Sequence, residues 1–204
     1  MEKLKIGVLA STRATDLQAI IDAIAQGKLN AEIRVLVSNN PESFALERAR
    51  SHGIKAVFVG SQGKTREQYD DEVARIMEAE GVQLILLIGY LRWLSAPFVQ
   101  KYSNRIMNVH PSLLPAFPGM DKAVHESVLS AGCKITGCTV HFVDEGQDTG
   151  PIIIQGAVPV LDNDTADSLK ERVQQAEKKC LVEAVRLFSK GRLKVEGKKV
   201  FTMK

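Results

Sequence analysis

The alternation of short apolar segments with amphipathic segments limits the fold of this chain more than any other feature. Short apolar runs predict strands at residues 4–10, 33–37, 56–59, 84–88 and 105–109. Helical spacing of apolar residues, with suitable start and stop residues, predicts helices at residues 17–26, 44–51, 65–80 and 96–101. This alternation predicts an α/β fold with a doubly wound, mostly parallel sheet and helices on both faces.

The second half of the chain follows a different pattern. Pro111, Pro115 and Pro118 exclude a regular helix or a central strand over that span. Beyond the prolines we predict, in order, a helix, two strands and a long helix: residues 122–130, 136–143, 152–160 and 165–188.

The ends of these last elements carry turn and cap residues. Asp162 or Asp164 is the expected N-cap of the long helix. Glu196 and Gly197 are expected to turn a final small hairpin. Since no linker, repeat or low-complexity stretch divides the sequence, we predict one domain over residues 1–204.

Composition excludes several classes of protein. The 204 residues are 45% hydrophobic and 25% charged, which is typical of soluble globular proteins. The longest apolar run has five residues, against the roughly 20 that a membrane-spanning helix needs. A net charge of +3 is too small to indicate nucleic-acid binding. With no secretion signal and three cysteines, we expect a cytoplasmic protein with free thiols, no metal site and a monomeric or homodimeric state.

The loops that follow the predicted strands hold the candidate chemistry, because ligands of open α/β sheets bind at the carboxyl ends of the strands. Asn108 and His110 are two residues apart in an extended segment, so their side chains point the same way and suit a developing oxyanion. Asp148 could hold His110 protonated or accept a proton itself. A turn asparagine, a core histidine and a turn aspartate are the alternative interpretations.

The motifs containing these residues resemble those of one family. NVHPSLLP from Asn108, CTVHFV from Cys138 and DTGP from Asp148 together resemble the folate-dependent formyltransferase family, and the resemblance covers essentially the whole chain. It implies a Rossmann-like formyltransferase fold and a catalytic set of Asn108, His110 and Asp148. It also implies transfer of the formyl group of 10-formyltetrahydrofolate to the amino group of glycinamide ribonucleotide in purine synthesis. The family uses a tetrahedral oxyanion, with no metal and no covalent enzyme intermediate.

The resemblance also assigns binding residues. It implies that the pterin is lined by Tyr90, Leu91, Arg92, Trp93 and Leu94, and that Arg66 and Arg92 lie near the folate glutamate tail. Gln174 and Glu177 match positions near the ribonucleotide. A core position for Trp93, and a solvated helix face for Gln174 and Glu177, are the alternatives.

One loop departs from the family pattern. The family reads Ser-Gly-x-Gly there, and its glycines let backbone N–H groups approach the substrate phosphate. This chain has Thr12 and Ala14 in place of both glycines. We therefore expect a loop relaxed away from positive φ at Ala14, with phosphate held by the hydroxyls of Thr12 and Thr15 and the guanidinium of Arg13. The alternative is an Arg13 that points into solvent.

Two other functions remain open at this point. The altered loop favours a formyltetrahydrofolate deformylase, which releases formate and needs no ribonucleotide. A non-enzymatic folate- or nucleotide-binding module is the second alternative, although a binder has no need for Asn108, His110 and Asp148 together.

Overall fold

The computed structural model describes residues 2–119 and 124–203. Contacts within the chain divide it into two compact units, Met1–Met107 and Asn108–Lys204. The prediction of one undivided domain over residues 1–204 stays a prediction, and each unit is described here by itself.

The elements of the described residues follow the predicted order. In the first unit they are β1 (Leu4–Leu9), α1 (Leu17–Ala25), β2 (Ala31–Ser38), α2 (Phe44–Ser51), β3 (Lys55–Phe58), α3 (Arg66–Ala79), β4 (Leu84–Leu87), α4 (Ala96–Lys101) and the start of β5 (Ile106–His110). In the second unit, after the end of β5, they are α5 (Val124–Ser130), β6 (Ile135–Phe142), β7 (Ile152–Pro159), α6 (Ala166–Ser189), β8 (Leu193–Glu196) and β9 (Lys199–Thr202).

The first unit is built on a parallel sheet. Its strands run in the order β3-β2-β1-β4, and Val8 of β1 pairs with Leu36 on one side and Leu86 on the other. All four residues of β4 are buried, as expected of a strand covered on both faces. The order reverses at β1, so the carboxyl ends of β1 and β4 form a crevice edge at which ligands of such folds bind.

Helix boundaries in both units follow from side-chain caps. Thr65 and Gln68 form a capping box at the start of α3, and Thr165 forms one with Ser168 at the start of α6. The prediction that Asp162 or Asp164 caps α6 is therefore wrong. Asp164 instead accepts two hydrogen bonds from Arg172, at 2.7 and 2.8 Å, which leaves Thr165 to cap the helix.

The second unit packs α5 and α6 against an antiparallel pair. Strands β6 and β7 pair antiparallel, with Gly137 opposite Ala157 and Cys138 opposite Gly156, and a Cβ on Gly137 would lie 1.9 Å from the Gly156 carbonyl oxygen. The two backbones can approach this closely only because Gly137 has no side chain. The predicted final hairpin is confirmed as β8 and β9, which pair antiparallel.

The predicted α/β class with a mostly parallel sheet is confirmed. The helix predicted near residues 122–130 is observed from Val124, and residues 122 and 123 lie outside the described part of the chain. No helix among the described residues is both long enough and apolar enough to cross a membrane.

Candidate active site

His110 ends strand β5 and is buried, with 3% of its surface exposed. Its Nε2 lies 2.8 Å from the Phe117 carbonyl oxygen. Because a carbonyl only accepts hydrogen bonds, Nε2 carries the proton and donates it. The other ring nitrogen, Nδ1, lies 3.7 Å from Asp148 Oδ2. The imidazole is therefore fixed in one tautomer with Nδ1 facing a carboxylate.

Asp148 lies in the turn between β6 and β7, at a positive φ of 52°. Aspartate tolerates this left-handed conformation better than most residues. Its Oδ2 accepts a 2.9 Å hydrogen bond from the Gly119 amide, and its Oδ1 lies 3.7 Å from Nε2 of His141. The carboxylate thus lies between two imidazoles, those of His110 and His141.

His141 is a site residue to which sequence reasoning gave no role. Its Nδ1 donates to the Phe142 carbonyl at 2.8 Å, so Nε2 is free to accept from Asn108 Nδ2 at 3.2 Å. Burial lowers the pKa of His141, although the bond to Phe142 and the charge of Asp148 oppose the shift. A neutral His141 therefore fixes which way the Asn108 amide points. The sequence feature that could have pointed to His141 is a histidine within the apolar run of β6, because a buried polar side chain needs hydrogen-bond partners.

The proline-containing loop, residues 111–119, is held in place by β6 and β7. The Thr139 hydroxyl donates to the Ser112 carbonyl at 2.7 Å and accepts from the Leu114 amide at 3.0 Å. Gln155 donates to the Leu114 carbonyl at 2.9 Å. These bonds satisfy backbone groups of the loop that do not pair within a helix or sheet. They also fix the loop that carries Phe117, whose carbonyl accepts the hydrogen bond from His110.

The acidic turn, residues 144–150, is held by the C-terminal hairpin. Lys198 Nζ donates to the Thr149 carbonyl at 2.7 Å and to Asp144 Oδ2 at 3.2 Å. Burial tends to raise the pKa of Asp144, but hydrogen bonds from Thr149 and Lys198 outweigh it, and the pKa is lowered. A charged Asp144 therefore braces the turn that presents Asp148.

In the first unit, the loop that departs from the family pattern, residues 11–16, joins the ends of three strands. The Ser11 hydroxyl donates to Asn39 Oδ1 at 2.6 Å and accepts from the Leu91 amide at 2.8 Å. The Thr12 hydroxyl donates to the Gly89 carbonyl at 3.2 Å. A hydroxyl has one proton, so in this arrangement the Thr12 hydroxyl has no donor left for a phosphate.

The backbone of the same loop has not relaxed. Ala14 has a φ of 46°, so the predicted departure from positive φ is wrong. The Thr12 carbonyl accepts from the Ala45 amide at 3.2 Å, and the Arg13 carbonyl from Arg48 Nε at 3.4 Å. A trans peptide places C=O and N–H on opposite sides, so the amides of Arg13 and Ala14 point away from α2. Two successive amides that face the same way are suited to bind an anion.

Arg13 is exposed but held at a defined place. Its guanidinium carbon lies 5.3 Å from the centroid of the Phe44 ring, and that of Arg48 lies 5.5 Å from the same centroid. Arg48 also donates to Gln18 at 2.8 Å. Arg13 and Arg48 therefore both stack on Phe44 of α2, and the exposed Arg13 side chain is held there rather than extending freely into solvent.

The segment predicted to line the pterin, residues 90–94, is anchored on α3. The Arg92 guanidinium lies 4.2 Å from the centroid of the Tyr69 ring. Asp70 is buried and accepts a 2.5 Å hydrogen bond from the Ser95 amide. Burial raises the pKa of Asp70, against the opposing effects of that bond and of Arg92. Arg92 is thus half-buried and oriented by its neighbours.

The other predicted binding residues differ in exposure. Trp93 is 48% exposed and Leu91 41% exposed, so the core interpretation of Trp93 is wrong. Tyr90 and Leu94 are half-buried, and Arg66 is exposed at the first position of α3. The segment offers apolar surface to solvent, as a ligand-binding edge does.

On α6, Gln174 is half-buried and Glu177 is buried, with 6% of its surface exposed. The interpretation of these two residues as a solvated helix face is therefore wrong for Glu177. Among the residues that the structure describes, no group of three histidine, cysteine or acidic side chains has the geometry of a metal site.

A comparison with models of known protein families shows which family the chain belongs to. The model of the formyl transferase family matches residues 4–185. The chain belongs to the formyl transferase family. The match covers every element that supplies Asn108, His110, His141 and Asp148, whereas the hairpin that holds the acidic turn lies beyond it.

Similar proteins include one matched over nearly its whole length and one matched over only a small part of its length. The chain is 38% identical to the phosphoribosylglycinamide formyltransferase of Escherichia coli, over 94% of the chain and 90% of that protein. It is 46% identical to part of the trifunctional purine biosynthetic protein adenosine-3 of Drosophila melanogaster, over 85% of the chain, but it spans only 13% of that protein's length.

Solved structures give the same relationship. Glycinamide ribonucleotide transformylase 1 from Symbiobacterium toebii superposes with a TM-score of 0.95 and 42% identity, over 99% of this chain and 95% of that one. A formyltetrahydrofolate deformylase from Pseudomonas syringae has the same fold, with a TM-score of 0.91, but only 25% identity, over 100% of this chain and 67% of that one.

Proposed function

We propose that this protein transfers the formyl group of 10-formyltetrahydrofolate to the amino group of glycinamide ribonucleotide, as a cytoplasmic enzyme of purine synthesis. The observation that carries the proposal is the arrangement of Asn108, His110 and Asp148 around a neutral His141. Membership of the formyl transferase family supports it, as do the names of the relatives similar over nearly their whole length.

The two polar donors suit the oxyanion of acyl transfer. The Asn108 amide has two N–H groups, of which one donates to His141. The second remains for the formyl oxygen. His110 donates through Nε2 to Phe117, so protonation at Nδ1 creates a charged donor beside Asp148. Both donors are held by the protein before reaction, which is the condition for strong electrostatic stabilisation.

The chemistry requires one proton to move. The substrate amine attacks the formyl carbon, the C=O bond becomes an oxyanion, and the bond from carbon to the folate nitrogen then breaks. The attacking nitrogen loses a proton and the leaving nitrogen gains one. Asp148 carries this proton, directly or through a water molecule.

The substrates need separate binding groups. We propose that the phosphate is held by the amides of Arg13 and Ala14, the Thr15 hydroxyl and the Arg13 guanidinium, with the positive end of α1 nearby. Gln174 and Glu177 are proposed to contact the ribonucleotide. Residues 90–94 are proposed to line the pterin, with Arg66 and Arg92 near the glutamate tail.

The structure weakens the case for a deformylase. That alternative rested on a first loop unable to bind phosphate, yet Ala14 keeps the left-handed backbone and the loop amides remain turned out. A non-enzymatic binder is disfavoured because a donor pair, a carboxylate and an orienting histidine serve no purpose in binding alone.

Turnover of 10-formyltetrahydrofolate, followed by absorbance with and without glycinamide ribonucleotide, tests the proposal. We expect turnover only when the ribonucleotide is present, and a rate about 10²–10³-fold lower in an Asn108→Ala variant. His52→Ala, which changes an exposed histidine, is the control with full activity. Formate release without ribonucleotide would establish the deformylase instead, and folate binding without turnover would establish the binder.

A further inference from the structure

Two cysteines outside the proposed chemistry meet at one point of the second unit. Cys138 lies on β6 opposite Gly156 of β7, and Cys180 lies on α6. A Cβ placed on Gly156 would lie 2.8 Å from the Cys180 sulfur and 3.4 Å from the Cys138 sulfur. The two sulfurs therefore occupy the space that a side chain at Gly156 would fill, and the thiols hydrogen-bond to each other.

The two thiols differ in exposure and in acidity. Cys138 is fully buried, whereas Cys180 is half-buried. The hydrogen bond from Cys138 lowers the pKa of Cys180, while the same bond, and then burial, raise the pKa of Cys138. A more acidic, more accessible thiol next to a protected one is the usual arrangement of an attacking and a resolving cysteine.

The pair lies close to residues of the proposed site. Cys138 directly precedes Thr139, which holds the proline-containing loop, and lies three residues before His141. Glu177 is one helical turn before Cys180 and its charge acts on Cys138. A bond between the two sulfurs would therefore join α6 to the strand that supports the catalytic centre.

We propose that Cys138 and Cys180 form an oxidisable thiol pair that a peroxide converts to a disulfide between β6 and α6. The Cys180 thiolate attacks the O–O bond, forming an S–O bond and releasing water after protonation. The Cys138 thiol then loses its proton, attacks the sulfur of the sulfenic acid and displaces a second water. Two thiols and one peroxide thus give one disulfide and two waters.

Disulfide formation changes the local geometry. The sulfurs must approach to about 2.05 Å, closer than any hydrogen-bonded contact between thiols. The two side chains must rotate to allow this, and any accompanying shift of β6 or α6 would move Thr139 or Glu177. We therefore expect the disulfide to lower catalytic turnover. This regulation is independent of which amine the enzyme formylates.

The chemical test uses hydrogen peroxide on the folded protein, followed by thiol titration and peptide mapping. The wild type has three free thiols, and we expect one to remain, with the mass of two hydrogen atoms lost and a Cys138–Cys180 peptide recovered. Cys133→Ser, which removes the third cysteine, is the matched control and must still form the disulfide. Cys180→Ser, at a half-buried site, must not form it. A disulfide containing Cys133, or oxidation of Cys180 without a disulfide, would overturn the proposal.

The functional test compares turnover of 10-formyltetrahydrofolate before and after oxidation. We expect the rate to fall about tenfold or more, since a 1 Å misplacement of catalytic groups can cost up to about 10²-fold, and to recover with dithiothreitol. The Cys138→Ser/Cys180→Ser double variant should keep its rate in peroxide. A disulfide that forms without any loss of rate would disprove the link to the catalytic centre. The thiol count tests the pair even if the protein lacks activity on glycinamide ribonucleotide.

Discussion

The first loop and the acidic turn use the same backbone conformation for different purposes. Ala14 in the first loop has a φ of 46°, and Asp148 in the acidic turn has a φ of 52°. At Asp148 the side chain faces two histidines and accepts from Gly119. At Ala14 the side chain is a buried methyl group, and what matters is the direction of the neighbouring amides.

This difference explains why one region follows the family motif and the other does not. The proposed catalytic centre depends on particular side-chain atoms, so its residue types point to it. The proposed phosphate contacts of the first loop come from backbone N–H groups, and every residue type except proline supplies these. Hydrogen bonds from Ala45 and Arg48 hold the loop carbonyls and so oppose the roughly 1–2 kcal/mol cost of alanine in a left-handed conformation.

Asp148→Asn tests the side-chain role most strongly. Asparagine also accepts the left-handed conformation and can keep the Gly119 contact, but it removes the charge beside His110 and cannot accept the proton. We expect kcat to fall about 10²–10⁴-fold with little change in the melting temperature. Asp167→Asn, on an exposed position of α6, is the control. A variant with near wild-type kcat would make Asp148 a structural turn residue.

Asn108→Ala and His110→Ala remove one oxyanion donor each. We expect each to lower kcat by about 10²–10³-fold, measured by folate turnover, while folate binding changes little. Near-full kcat in either variant would show that its side chain does not contact the reacting oxygen.

Arg13→Ala tests the side-chain contribution to the first loop. We expect KM for glycinamide ribonucleotide to rise about tenfold, the effect of one charge-assisted contact, with KM for folate unchanged. Arg50→Ala removes an exposed arginine from α2 and is the matched control. Equal ribonucleotide affinity in both variants would mean that the backbone amides hold the phosphate without Arg13.

The buried His141 makes stability depend on pH. Its pKa is lowered by burial, so below about pH 6.5 the unfolded chain binds a proton that the folded chain does not. Stability should therefore fall as the pH drops through 6.5, with a slope of at most about 1.4 kcal/mol per pH unit for one proton. His141→Gln should show a shallower fall in urea unfolding between pH 7 and 5.5. Parallel curves for the two proteins would contradict a neutral His141.

Ala14→Gly gives the smallest expected effect. Glycine relieves the left-handed conformation by about 1–2 kcal/mol, but it loses about 0.8 kcal/mol of methyl burial and about 0.4–1 kcal/mol through the unfolded state. The free energy of unfolding should change by less than about 0.8 kcal/mol in either direction. The control Ala19→Gly, in the right-handed helix α1, should lose about 1 kcal/mol. Equal losses in the two variants would contradict a positive φ at Ala14.

Most of the fold could be predicted because its elements are defined by local patterns. The bounds of α2 and α4 match the predicted residues, and the other strands and helices of the first unit agree within two residues at each end. The cap of α6 could not be predicted, since Thr165 and Asp164 are both good N-cap residues. The pairing of Asp164 with Arg172, eight residues away, decided between them.

The site was predictable where chemistry fixes the residue type. The residue types of Asn108, His110 and Asp148 suggested a catalytic set because few other residues perform such roles, and the structure brings all three near His141 or His110. Their catalytic roles stay a prediction. The role of His141 depends on its bond to Asn108, 33 residues away. The Thr12 hydroxyl is occupied by Gly89, 77 residues away. Such contacts follow from the pairing of distant segments, which local spacing does not determine.

The contact of Lys198 with the acidic turn indicates that the proposed activity needs more of the chain than the family match covers. The family match ends at residue 185, near the end of α6. Lys198 lies beyond that point, and its contacts with Thr149 and Asp144 hold the turn that contains Asp148. A fragment ended after α6 would keep both the core of the second unit and the catalytic side chains. It would lose the contacts that hold the turn of Asp148, so we expect the proposed activity to require the C-terminal hairpin as well as the last helix.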